Sequence, residues 1–253
     1  MPFQKITAEK LSQAVVRQIE ALILQGILRP GDRLPPERDL ADTMGVSRPS
    51  LREALAEMQE SGLLIARAGS GVYVADVLGS AFSPALVRLI SEHDRAADDY
   101  LSFRRELEGL TAQRVAAVAG DGDLAVIDQS YQRMAAAHGK TDAETEARLD
   151  AAFHMAIVEA GHNVVALHMM RSMHDLLQEG MLYNRALIFT VPENRDRLLQ
   201  QHSAINDALQ KRDGPEARRL VEAHLDFIAD CLRAQRLADE HNDMARRRLD
   251  KRR

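Results

Sequence analysis

A single cysteine, no tryptophan and only 4% aromatic residues in 253 exclude several classes of protein at once. Cys231, standing alone, can form neither an intrachain disulfide nor a cysteine zinc cluster. With four Tyr and six Phe, the core must be filled by Leu, Ala, Val, Ile and Met. Ala and Leu richness favours helix. No run approaches the ~18 consecutive apolar residues of a membrane span. The opening MPFQKITAEK lacks the apolar stretch of a signal peptide. A soluble cytoplasmic protein is therefore expected. The net charge of −5 excludes a chain coated in positive charge, so any nucleic-acid contact must come from a local patch.

What is present begins with Leu34 to Leu55, LPPERDLADTMGVSRPSLREAL. Pro35 and Pro36 suit the first turn of a helix and not its interior. Glu37 complements the positive end of the helix dipole. Leu40, Ala41 and Met44 recur at helical spacing, and Gly45 ends that helix, as glycine does where the chain turns left-handed. Val46 is expected to be the buried residue of the turn. Ser47 can cap a second helix, with Pro49 near its start. Leu51, Leu55 and Met58 face inward, leaving Arg48, Ser50 and Arg52 facing out. Two helices around a glycine turn form a helix-turn-helix, whose second helix can enter the DNA major groove. The same pattern also fits a helical hairpin packed inside another kind of domain.

The flanking chain narrows the choice. Leu11, Val15, Ile19, Leu22 and Ile23 predict a helix over Ala8 to Gln25, closed by Gly26. After Glu60, the β-prone runs Leu63–Arg67 and Val72–Ala75 flank Ala68-Gly69-Ser70-Gly71, which predicts a β-hairpin. A hairpin directly after a helix-turn-helix reads as a wing that can lay backbone amides or Arg67 along a sugar-phosphate chain, or else as a structural edge. Residues 1–76 carry 9 Lys+Arg against 10 Asp+Glu. Affinity for DNA would thus depend on Arg38, Arg48, Arg52 and Arg67 gathered on one face.

Residues 77–83 form a candidate linker. Beyond it the β signal almost vanishes, and helical periodicity covers 84–92, 97–119, 123–137, 142–160, 163–189, 193–212 and 214–238. Breaks fall at His138-Gly139, Gly161-His162, Val191-Pro192 and Asp213-Gly214-Pro215. The expected fold is mostly α: a winged helix-turn-helix over 1–76, then an all-α antiparallel bundle of six or seven helices over 84–240. Residues 241–253 form a basic tail. Its end, Ala245 to Arg253, holds six basic residues and one acidic, and is expected to be a frayed helix end or disordered.

The first 75 residues resemble the GntR family of bacterial transcription regulators. The resemblance runs through Leu28-Arg29-Pro30-Gly31, Leu34-Pro35-Pro36-Glu37-Arg38, Val46-Ser47-Arg48, Ser50-Leu51-Arg52-Glu53-Ala54-Leu55 and Gly62-Leu63. The all-α remainder resembles the FCD domain of its FadR-like subfamily. The resemblance implies a repressor, a homodimer reading a two-fold symmetric operator in double-stranded DNA. It implies DNA contacts by Arg38, Ser47, Arg48, Ser50, Arg52 and Gly69, with Arg48 reading a base. It also implies pyruvate as effector and genes of pyruvate oxidation as targets, with lactate, another hydroxy acid or a dicarboxylate as the alternative.

Asp150 and His154 stand four apart, on one face of one helix, and His202 and His224 lie on two later helices. A bundle can bring such residues together on its axis. Imidazoles with a carboxylate suit zinc, nickel or manganese, whereas scattered histidines are often ordinary polar core residues. The resemblance implies the first reading: FCD domains bind a divalent metal through an Asp-x-x-x-His pair and two later histidines, and all four positions match. It also implies that Arg104 holds the effector carboxylate, which a guanidinium grips by two charge-assisted hydrogen bonds. Tyr183, Asn184 and Arg185 are further candidates to line that cavity. Two rivals stand beside this reading. The ion could be purely structural, or it could activate water in a hydrolase. Against the hydrolase, no general base accompanies the ligands.

Overall fold

The computed structural model describes residues 10–75, 88–89, 93–176, 188 and 191–250. The predicted arm over 1–7, the linker over 77–83 and Tyr183, Asn184 and Arg185 lie outside these residues. The chain divides into two compact units, Met1–Gly79 and Ser80–Arg253.

The first unit contains α1 (Leu11–Leu24), α2 (Glu37–Met44), α3 (Arg48–Glu60), β1 (Leu64–Arg67) and β2 (Gly71–Val74). Val15, Val16 and Ile19 of α1 bury against Leu51, Ala54, Leu55 and Met58 of α3, with Leu34, Ala41, Leu64 and Val74 closing the core. Leu11, expected in the stripe, is 58% exposed; Val16, on the adjoining side of the helix, is buried instead. Gly45 adopts φ 65°, ψ 30°, and the Val46 amide then reaches back to Ala41 O at 3.0 Å. Val46 is half-buried and packs at the edge of this core, a correction to its expected full burial.

The hairpin pairs Leu64 with Val74 through to Arg67 with Gly71, antiparallel. The preceding segment laces onto its outer edge: Gly31 N donates to Val74 O, Val74 N to Asp32 O and Leu34 N to Val72 O. The wing is thereby tied to the turn before α2. Gly69 at its tip has φ 70°, a conformation that L side chains rarely adopt.

The second unit has six long helices among the described residues: α4 (Asp94–Val118), α5 (Asp121–Ala137), α6 (Ala143–Ala160), α7 (Val164–Leu176), α8 (Pro192–Gln210) and α9 (Gly214–Asp250). Their starts follow local chemistry. Asp142 accepts from Thr145 N at 2.6 Å, Asn163 from Val165 N, and Asp213 from Glu216 N, while Pro192 opens α8. The longest packing is α4 along α9. Two glycines permit it: a Cβ on Gly214 would lie 2.9 Å from Gln113 O, and one on Gly109 2.9 Å from Glu222 Cγ. Leu101, Ala112, Val115, Ile127, Phe153, Ile157, Leu198, Ile205, Val221, Leu225 and Ile228 are among the residues filling the space between helices.

Two boundaries differ from the sequence expectation. The helix predicted over 163–189 is described only as Val164–Leu176 and at Ile188. The end predicted to fray is helical to Asp250. No Gly or Pro follows Pro215, the segment is rich in Ala, Leu, Glu and Arg, and Asp243 and Arg246 approach to 3.9 Å at helical spacing.

Candidate nucleic-acid interface and metal centre

The exposed side of α2 and α3 carries the predicted arginines. Ser47 caps α3, accepting from Ser50 N at 3.3 Å, and the two hydroxyls lie 2.9 Å apart. Ser50 is half-buried beside Ser47 on this face. Arg48, the first residue of α3, is exposed where the helix dipole is positive. Arg52 is exposed but engaged, its Nε donating to Glu37 Oε2 at 2.7 Å. That ion pair ties the second turn of α3 to the first turn of α2, where Arg38 stands exposed. In the wing, the Arg67 guanidinium sits 4.6 Å above the Tyr73 ring, and Gly71 leaves room for the Arg33 side chain. Sequence reasoning singled out neither Arg33 nor Tyr73. Both are legible only once the wing register is known.

In the second unit, Asp150, His154, His202 and His224 converge from α6, α8 and α9, all fully buried. One ligand atom from each lies within 4.8 Å of the others. His154 Nε2 is 3.3 Å from His224 Nε2 and 3.3 Å from His202 Nε2, and His202 Nε2 is 3.0 Å from Asp150 Oδ1. Separations near 3.3 Å are what nitrogens each about 2.0–2.1 Å from one ion show across a coordination sphere. The four side chains fit a divalent cation. The donor set, three imidazoles and a carboxylate, admits zinc, nickel or manganese.

Behind the cluster lies a polar chain that the sequence did not announce. His154 Nδ1 approaches Glu108 Oε2 at 2.6 Å, and Glu108 Oε1 accepts from Arg104 Nε at 2.6 Å. His224 Nδ1 meets Gln201 Oε1 at 2.9 Å. Partners on the far ring nitrogen fix which nitrogen faces the centre. Burial works to raise the Glu108 carboxyl; the Arg104 guanidinium and His154 outweigh it and hold the group well below the usual carboxylate range. Arg104 is 1% exposed, so it is no surface arginine. The helical spacing of Arg104 and Glu108 was visible in the sequence, but a surface i,i+4 pair has the same spacing. From another side, a small cleft lined by Met134, His138, Glu146, Arg195, Leu198 and Leu199 reaches His202. Arg195 grips the buried Glu146 with two nitrogens at its rim.

The model of the gntR family of bacterial regulatory proteins matches residues 11–74, and that of the FCD domain matches residues 99–227. A protein of Escherichia coli (strain K12), named for regulation of the L-lactate dehydrogenase operon, is 33% identical over 256 residues, covering 95% of this chain and 98% of that protein. The Glc operon transcriptional activator of the same strain is 30% identical over 234 residues, covering 91% and 92%. The solved structure of a GntR protein from Streptococcus agalactiae covers 87% of this chain and all of its own, with TM-score 0.53 and 22% identity, a likeness of fold.

Proposed function

The chain belongs to the GntR family of DNA-binding transcriptional regulators, with an FCD domain after the reading head, and we propose that it is a homodimeric repressor released by a small carboxylate. Its family and relatives are regulators of transcription and not enzymes. The observation that carries the effector reading is the buried Asp150–His154–His202–His224 cluster, joined through Glu108 to Arg104.

In this reading Arg48 contacts a base edge in the major groove, and Arg38 and Arg52 hold the helix in register on phosphates or bases. Ser47, Ser50 and the Gly69 wing tip approach the backbone. Asp150, His154, His202 and His224 would hold a divalent ion, which would supply a Lewis-acid point for a carboxylate oxygen. Arg104 has five donors; Nε serves Glu108 and Tyr100 takes a further hydrogen bond, and the remaining donors serve the acid while Glu108 holds the guanidinium in place. Zinc is the first choice, with nickel or manganese as alternatives. The acid shifts the DNA-binding equilibrium by its differential affinity for two states of the dimer.

The relative named for the L-lactate dehydrogenase operon directs the search to L-lactate as well as to pyruvate, which the sequence resemblance favours. The Glc operon relative, named an activator, supports a second reading in which the acid promotes activation. A gel shift on the chain's own promoter decides among these. L-lactate or pyruvate should release the complex, and Arg104→Lys, which keeps a cation beside the buried Glu108 but loses the guanidinium fork, should lose most of that response while shifting the DNA as before. Full response in Arg104→Lys contradicts the carboxylate assignment, and enhanced binding with acid supports the activator reading.

A further inference from the structure

The last four turns of α9 are unusual among the described helices. Leu237 to Leu249 are exposed at every position. Just before them, Arg236 reaches Asp98 of α4 at 2.6 Å, and the bundle contact ends there. Isolated helices of such length are marginal in water. Yet this segment exposes Leu237 at 53% and Met244 at 46%. Leu237, His241, Met244 and Arg248 follow the alternating four- and three-residue spacing of a coiled-coil seam. On one flank of the seam stand Ala238 and Ala245; on the other stand Glu240 and Arg247. Neither Glu240 nor Arg247 makes an ion pair among the described residues.

We propose that residues 237–249 of α9 dock antiparallel against the same residues of a second copy of this chain. Charge complementarity sets the pairing. In an antiparallel pair, equivalent flank positions face each other. Glu240 then opposes Arg247 of the second copy, twice by symmetry, while Ala238 opposes Ala245 and lets the backbones approach. In the core, His241 packs on Met244, and the methylene stem of Arg248 covers Leu237 with its head in solvent. A parallel pair fails on the same residues, since it stacks Arg248 on Arg248 and His241 on His241. This contact rests on the homodimer reading above and names where part of that interface lies.

The six basic residues of 245–253 offer DNA phosphates as a rival occupant, and the test separates the two. The full-length chain is sedimented at low salt over a range of concentrations. Glu240→Arg and Arg247→Glu should each weaken self-association at least about fivefold, as like charges at two symmetric flank contacts. The double variant should restore it. In Cys231→Ser chains, Ala238→Cys with Ala245→Cys should cross-link between copies on oxidation, whereas Ala245→Cys alone should not. Equal association in all charge variants, with the dimer intact, overturns the contact and leaves the homodimer reading standing. A chain that is monomeric throughout overturns both. If the variants change only affinity for the promoter and its salt dependence, the segment serves DNA, and the proposal is wrong.

Discussion

The two units put their functional charges in opposite places. In the first, Arg38, Arg48 and Arg52 are exposed over a core of Val15, Ile19, Leu51 and Met58 in which Ser12 is the one buried polar side chain among the described residues. In the second, Arg104, Glu108, Asp150 and three histidines lie inside the core itself. An exposed arginine costs folding almost nothing, so the reading head can vary its contacts without risk to its fold. A buried charge has to be matched by a neighbour, because its desolvation otherwise costs several kcal/mol. The Arg104–Glu108–His154 chain is that matching: Glu108 stands between the guanidinium and the imidazole, and Tyr100 adds a further hydrogen bond to Arg104. Function as proposed is therefore separable from stability in one unit and inseparable from it in the other.

Glu108→Ala tests the inseparable side most severely. It leaves Arg104 charged and buried without its carboxylate, and we expect a loss of about 3–5 kcal/mol, the usual cost of breaking a buried pair from one side. Thermal unfolding of the second unit would show it. A loss below 1 kcal/mol would mean that Arg104 finds solvent or another partner.

Metal removal comes next. An ion at a thousandfold its dissociation constant stabilises the folded state by about 4 kcal/mol. Chelation should therefore lower the melting temperature by roughly 10 °C, at about 2–4 °C per kcal/mol for a domain of this size. Replacing His202 and His224 by Ala should bring bound metal toward zero in elemental analysis. Unchanged metal content would place the ion elsewhere.

On the separable side, Arg48→Ala should reduce operator affinity by about 1–3 kcal/mol per lost base contact and erase sequence preference, while the melting temperature stays put. The smallest effect belongs to Arg52→Ala. Its exposed pair with Glu37 is worth at most about 1 kcal/mol of stability, so a larger fall in melting temperature would show that the reading head is not separable after all.

The legibility of the sequence follows the same division. The helix-turn-helix announces itself because its determinants are local: Pro36 before α2, Gly45 at positive φ, Ser47 as cap. The helices of the bundle were legible from period and breakers. The metal ligands were visible as a pair on one helix, Asp150 and His154, but spacing alone does not bring His202 and His224 to them; the resemblance supplied that, and the packing of α6, α8 and α9 brings the four together. Glu108 and Gln201 stayed hidden because their roles arise from contacts across helices, with no periodic trace. The helical end of α9 was misjudged for another reason. A run of basic residues reads as a solvated tail, although Ala, Leu and Arg are also good helix formers and no breaker intervenes.

In the proposed function, the buried centre of the second unit governs DNA binding by the first. That control is tested most directly by fluorescence anisotropy of the chain's own promoter DNA, titrated with metal-loaded protein with and without L-lactate or pyruvate, and repeated with His202→Ala/His224→Ala. One of the acids should weaken binding by a factor of about 5–150 in the loaded protein. The double variant should bind DNA as well as the loaded protein does without acid, and should ignore both acids. An acid response of the same size in the metal-free variant, or none to either acid in the loaded protein, would contradict the proposed function.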